Sequence, residues 1–235
     1  MINKIKLLTA TAVLALLAAC GGGGGVSNDT IYPLSDALAE YVLNSTSTNV
    51  SITGSISGAG QTYAVSGTGR IVENTTNSTF NGVSAKKKSQ TTTGSITVNG
   101  QTQALNDVVY YYFNNNNQPL GYTTSSTYCI SSNVKSIPLN VSAGQSGEWY
   151  TTDCYTNSSK AVKTATSVTS YQIQAVTDKT VDLIINQNVT DSSGKITLPS
   201  KLVYQMDTLG DILFKYQSTA VEYDGVSMSL TITAK

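Results

Sequence analysis

The chain has 235 residues, with 14 Lys and Arg against 14 Asp and Glu and no histidine. Charged residues are only 12% of it, so no concentrated basic field is present to hold a nucleic acid. The missing histidine removes the commonest general base, the usual zinc ligand and any Ser-His-Asp triad.

The N-terminal stretch carries Lys4 and Lys6 and then runs from Leu7 to Ala19 in apolar or small residues, interrupted only by Thr9 and Thr11. As a helix that run reaches about 20 Å, short of a bilayer core of about 30 Å. It therefore reads as a cleaved export signal spanning residues 1–19. The run ends in Leu17-Ala18-Ala19-Cys20, which resembles the lipobox of bacterial lipoproteins. The resemblance implies that Cys20 receives a diacylglycerol thioether, becomes the new N-terminus and is then N-acylated. Each buried lipid CH₂ contributes about 0.8 kcal/mol and stable anchoring takes at least two chains, so the expected partner is a lipid bilayer reached through acylated Cys20.

Gly21 to Gly25 follow directly. A glycine run gains nothing from packing and loses most entropy on ordering. Residues 20–30 thus read as a flexible tether with a mean reach of about 15–20 Å. Gly21 stands where an Asp would favour retention at the inner membrane, so the resemblance implies lipid anchoring in the bacterial envelope, at the outer membrane. Removing residues 1–19 takes away Lys4 and Lys6 and leaves 12 bases against 14 acids, a mature charge of −2 over 216 residues.

Apolar residues at Ile31, Leu34, Leu38, Tyr41 and Val42 have helical spacing and predict one short amphipathic helix over 31–44. Pro33 suits its first turn and Asp36 its positive end. Beyond Asn44 the period changes to two. Val50, Ile52 and Ile56 alternate with small polar residues, as do Ile96 and Val98 before the hairpin signal Asn99-Gly100. Val108 to Phe113 predicts a strand and Asn114 to Asn117 its turn. Tyr171, Ile173 and Ala175 lead through Asp178-Lys179 to a strand over 181–185, and Asp191 to Gly194 turns again. Lys201 to Met206 and Ile212 to Tyr216 flank Leu209-Gly210-Asp211. Ala220 to Tyr223 and Val226 to Thr233 flank Asp224-Gly225. Strands at such spacing, joined by turns, predict a mainly β fold: an antiparallel meander closed as a barrel or packed as a sandwich. The stretch from Cys129 to Lys160 reads as less regular, and no linker composition divides it, so residues 31–235 are expected to form a single β-rich domain.

With Cys20 assigned to lipid, Cys129 and Cys154 remain as an even pair in an oxidising compartment, which predicts a disulfide; two free thiols are the alternative. The expected task of the disulfide is to hold the irregular excursion to the sheet. Lys86-Lys87-Lys88, the only basic run, reads as a solvated strand or loop end. Asp178 with Asp182, and Asp207 with Asp211, are the nearest approach to paired carboxylates. Both pairs sit at predicted turns, where Asp is ordinary turn chemistry. No catalytic residue, metal site or cofactor is expected.

Fourteen tyrosines against three Phe and one Trp are the remaining signal. Tyr110 and Tyr112 must point to one face of their strand, and Tyr111 and Phe113 to the other. Tyr111, Phe113, Trp149 and Tyr150 are the candidate binding aromatics, able to stack on a sugar or form a protein contact; the structural alternative is half-buried strand packing. The expected function is a non-enzymatic binding or interaction module of the envelope, its partner an envelope or surface protein or a glycan. One rival is a carrier of lipid or another hydrophobic ligand inside a barrel, which needs an empty apolar interior. The other, weaker for want of histidine, is a glycan-acting enzyme.

Overall fold

The computed structural model describes residues 30–192, 196–223 and 226–235. The signal segment, Cys20 and the glycine run lie outside the described residues, as do parts of the expected turns at 191–194 and 224–225. Among the described residues one helix, α1 (Leu34–Leu43), precedes twelve strands. These are β1 (Thr46–Gly58), β2 (Gln61–Phe80), β3 (Val83–Val98), β4 (Gln101–Phe113), β5 (Pro119–Thr123) and β6 (Tyr128–Ser132). Then follow β7 (Ser146–Tyr155), β8 (Lys163–Ala175), β9 (Thr180–Asp191), β10 (Ile196–Asp207), β11 (Ile212–Tyr223) and β12 (Val226–Ala234).

Each strand pairs antiparallel with the next, and β12 returns to pair with β1, from Val50 opposite Ala234 to Ser57 opposite Ser227. The sheet closes on itself as a twelve-stranded meander barrel, which decides between the barrel and the sandwich. The turn chemistry explains the meander. Asn99 and Gly100 both take positive φ, 49° and 74°, as a type I′ hairpin requires; Asn81 and Gly82 do the same at 50° and 83°.

Inward positions follow from the register. Val50 and Ile52 on β1 face the same way as Gly69 and Gly67 on β2, which lie opposite them. Ile52, Val65 and Ile96 form a small core with Ile56, Leu105 and Ile232. The larger core joins α1 to the wall: Leu34, Ala37 and Leu38 pack with Trp149, Ile173, Leu183, Tyr204 and Met206. The outward rows are mostly polar, with Ser66, Thr68 and Arg70 on β2 and Asp182, Asn186 and Asn188 on β9, and with Ile184 and Val203 paired among them as a buried apolar exception. A barrel that spans lipid instead presents an outward apolar band about 25 Å tall.

Three sequence expectations need correction in detail. The helix begins at Leu34, not Ile31. Pro33 occupies its N-cap, and Tyr32 instead pairs with Val141 in an isolated antiparallel bridge. The stretch from Cys129 to Lys160 holds β6 and β7, and only 133–145 between them is a long connection. The disulfide joins Cys129 to Cys154, but these face each other across adjacent strands. It therefore staples the open end of the β6–β7 hairpin on the buried inner face rather than tying a loop to the sheet.

The disulfide spans 25 residues of sequence. Replacing both cysteines by alanine is expected to lower stability to urea by about 3 kcal/mol on the loop-entropy relation, with the β circular-dichroism spectrum retained. An unchanged midpoint would show that the strand ladder alone sets this hairpin's stability.

Candidate functional site

The four candidate aromatics converge, and they converge inside the barrel. Tyr111 and Phe113 on β4, and Trp149 and Tyr150 on β7, line one cavity with Tyr122, Thr169, Ile185, Gln187, Leu202, Tyr204 and the α1 residues Leu38 and Tyr41. Alternation cannot place two consecutive residues on one face. A bulge does so here: the β7–β8 register shifts between Glu148 and Tyr150, leaving Trp149 without an opposite residue. The two rings then meet edge to face at 5.3 Å. The cavity they leave is about 80 Å³. That is room for a few water molecules, and about half the roughly 150 Å³ that admits one benzene ring.

α1 closes this cavity from the mouth of the barrel and is held at both ends. At its N-terminal end, Leu34 and Leu38 pack with Ile137, Trp149 and Leu183. At its C-terminal end it meets a buried charge. Lys88 is fully buried, against the solvated role expected from the basic run. Its ammonium donates to the Asn44 carbonyl at 2.9 Å, lies 3.6 Å from Glu73 Oε2 and sits 4.4 Å from the centre of the Tyr41 ring. The Asn44 carbonyl is at the negative end of the helix, where a cation is favoured. Glu73 is satisfied in turn by Thr46 at 2.7 Å, Gln90 at 3.2 Å and Tyr41 at 3.4 Å. Thr75 adds a bond from its hydroxyl to the Val42 carbonyl at 2.7 Å. Burial lowers the Lys88 pKa, and the opposing pull of Glu73 does not restore it.

The inner wall of β6 to β10 is different in character. Ser131 lies opposite Thr152, Thr152 opposite Ser167, Thr169 opposite Gln187, and Gln187 opposite Ser200. This makes a continuous belt of small polar groups across five strands. Gln187 donates to Ser167 at 3.1 Å, while among the described residues the buried hydroxyls of Ser131, Thr152, Thr169 and Ser200, and the Trp149 indole N–H, find no hydrogen-bond partner. Alternation hid this belt, because Ser and Thr at inward positions read as surface.

The outward aromatics are the ones the candidate set passed over. Phe80, at the tip of the β2–β3 hairpin, is sandwiched between Tyr112 and Tyr128 at 4.4 and 5.1 Å. Its ring lies over Gly121, where a Cβ would fall 2.8 Å from it and collide with the Cys129 carbonyl. Lys86 reaches Asn117 at 2.7 Å and Lys87 covers the Tyr110 ring at 5.1 Å. The basic run is thus split by alternation: Lys88 turns inward and Lys87 outward.

One carboxylate of each candidate pair is engaged elsewhere. Asp182 binds Lys215 through both oxygens at 2.8 Å. Asp207 accepts the backbone N–H groups of Leu209 and Asp211 at 2.8 and 3.0 Å, as the turn reading expects. Among the described residues no group of three or more His, Cys, Asp or Glu could hold a metal ion.

Comparison with known protein families, with curated proteins and with solved structures finds no match to this chain.

Two tests follow from the lumen. Lys88→Met leaves the Glu73 carboxylate buried without its cation, and should cost about 3–5 kcal/mol in chemical denaturation. Adding Glu73→Gln should recover a large part of that loss; additive losses would mean that the two groups do not act as a pair. The second test is alkaline. Burial raises the pKa values of Tyr41, Tyr111, Tyr122, Tyr150 and Tyr204. The unfolded chain releases these protons near pH 10 and the folded chain does not, so stability is complete below about pH 10 and falls as pH rises. Each phenol contributes up to about 1.4 kcal/mol per pH unit. Lys88, with its lowered pKa, acts in the opposite sense only up to its ordinary value near 10.4. Phenolate absorbance from this group should therefore appear together with loss of the β signal; phenolate formation in the intact barrel would contradict the burial.

Proposed function

We propose that this chain is a lipid-anchored protein of the bacterial outer membrane, and that its barrel is a non-enzymatic binding module. It meets its partner, an envelope or surface protein or a glycan, on its outer surface and does not carry a ligand in its lumen. The observation that supports this reading is the filled space beneath α1: among the described residues, the helix and the aromatic wall leave a cavity of about 80 Å³ there. To carry a lipid in that space, the barrel would have to expel α1. That would break the contacts of Lys88 and Thr75 with the helix end and expose Leu34, Ala37, Leu38 and Val42, all buried. The lipobox resemblance at Leu17-Ala18-Ala19-Cys20 supports the anchor, and the polar outward rows suit a barrel that stands in water. The half-buried Tyr110, Tyr112 and Tyr128 give the outer wall the rigid amphipathic area that contact surfaces use.

Titration with a fluorescent fatty acid tests the choice between module and carrier. The module reading expects no saturable binding; stoichiometric uptake displaced by unlabelled fatty acid would overturn it. A photocrosslinking residue in place of Tyr112, outward, should trap a partner on intact cells, while the same residue in place of Tyr111, inward, should trap none. Equal capture at the two positions would refute the outer-wall assignment.

A further inference from the structure

We infer that the end of the barrel at which α1 enters rests on the neutral phospholipid surface of the membrane that holds Cys20, with Ile31, Leu139, Val176, Leu209 and Leu213 as its contact residues. The inference rests on the lipid-anchored reading above and adds an orientation and a docking face to it.

These five side chains are 59%, 74%, 40%, 81% and 66% exposed, and they gather around one point of the fold. Ile31 directly precedes the Tyr32–Val141 bridge. The carbonyl of Leu139 accepts the backbone N–H of Ser35 at 3.3 Å. Gly210, next to Leu209, lies against Pro33, Ala37 and Asp36; a Cβ there would stand 3.1 Å from the proline ring. β8 and β10 both run toward the end at which α1 enters, which puts the β8–β9 turn bearing Val176 and the β10–β11 turn bearing Leu209 at that end. Leu213 follows two residues after Asp211, where β11 leaves that end.

The chain arrives at this same end. Ten residues lead from Cys20 to Thr30, which span at most about 35 Å when fully extended. The opposite end, marked by the β1–β2 turn and Val226 beside it, lies about 30–35 Å away once the 13-residue strand β1 is tilted as barrel strands are, well beyond the tether's mean reach of about 15–20 Å. A lipid at Cys20 therefore brings the apolar rim to the bilayer more readily than the far end. A short tether also raises the local concentration of rim and surface into the millimolar range, so weak apolar contacts suffice. Exposed leucines that lie shallowly in the headgroup region are the usual means of such contact. Around the apolar side chains Asp36, Asp178, Asp207 and Asp211 stand against Lys179, Lys135 at this end is paired with Glu148, and Lys86 and Lys235 lie near the β2–β3 tip and the end of β12; the acidic turns beside Leu209 and Val176 disfavour an anionic membrane and favour zwitterionic headgroups.

The test uses the mature chain from Cys20 to Lys235 on phosphatidylcholine vesicles with brominated acyl chains. It is anchored either by its native acylation or by a maleimide phospholipid on Cys20, the remaining thiol once Cys129 and Cys154 are paired. Bromine quenches only tryptophans that reach the acyl region, so emission from Leu209→Trp should fall at least about twofold further than that from Val226→Trp, measured against the parent chain with Trp149 alone. Adding Leu139→Ser should reduce the difference. Phosphatidylglycerol vesicles at low salt should weaken the quenching, and added salt should restore it. Equal quenching at the two positions, or none at either, overturns the docking face. No lipid quenching together with a protein crosslinked to Leu209 would assign the rim to a protein partner instead. Mass spectrometry of the native N-terminus judges the anchor separately: an unmodified Cys20 would remove the anchored reading, while the maleimide arm still decides whether the rim meets lipid.

Discussion

A fully buried lysine fixes how this barrel is filled, and the filling matters because twelve strands enclose more space than their own side chains fill. A closed sheet of about eight strands is just filled by its inward residues, and wider barrels need a ligand, a plug or water. Here the missing volume is supplied by α1, a ten-residue helix that would be marginal alone in water. Its apolar face accounts for the packing but not for the position of its C-terminal end. That end is fixed by Lys88, which joins the Asn44 carbonyl, the Tyr41 ring and the Glu73 carboxylate. A buried ion pair is weak evidence of net stability but a strong constraint on geometry, since either charge left alone is costly. The pair thus specifies one seating of the helix.

With the helix seated, the two sides of every strand have different tasks. The inward tyrosines stay neutral and serve as large packing groups that border a small cavity. The outward Tyr112 and Tyr128 stack on Phe80, and the Lys87 and Lys201 ammonium groups sit over the Tyr110 and Tyr216 rings. Phe80 shows how far the division goes: a hairpin tip that could have projected into water is folded onto Tyr112, Tyr128 and Gly121. The side-chain composition that looked like a single aromatic patch is in fact two populations separated by the thickness of the sheet.

The meander was legible because its turns carry their own chemistry. Asn99-Gly100, Asp178-Lys179 and Leu209-Gly210-Asp211 marked hairpins, and Val181 to Ile185 and Lys201 to Met206 marked strands that the structure contains. Much of β2 was not legible: Ser, Thr, Gly and Asn fill it, and at inward positions such as Gly67 the absence of a side chain is what lets the neighbouring strand approach. Gly67 would place a Cβ against the Ser95 carbonyl. The regular β7 was hidden by its bulge, which breaks period two at Trp149. The inward turn of Lys88 was hidden because a run of three lysines reads as solvent until a partner carboxylate fifteen residues away, Glu73, is brought beside it by strand pairing. The disulfide partners could be named from their number, but their placement on facing strands required the register.

The segment that fills the barrel is also the segment through which any tether must pull. Tension on Thr30 reaches the barrel first through the Tyr32–Val141 bridge, whose two backbone bonds of 2.8 and 2.9 Å run between antiparallel chains. Only after those yield would the load reach Leu34 and Leu38 in the core. The far end of the helix is fixed separately by Lys88 and Thr75 to β3 and β2. A pull along the tether is therefore shared between the β6–β7 connection on one side of the mouth and the longest strands on the other, and the closed ladder between them has no free edge from which to peel. One short helix is thus both a filler of the lumen and the element nearest Thr30, so any load applied there meets the packing of Leu34 and Leu38 once the bridge has yielded.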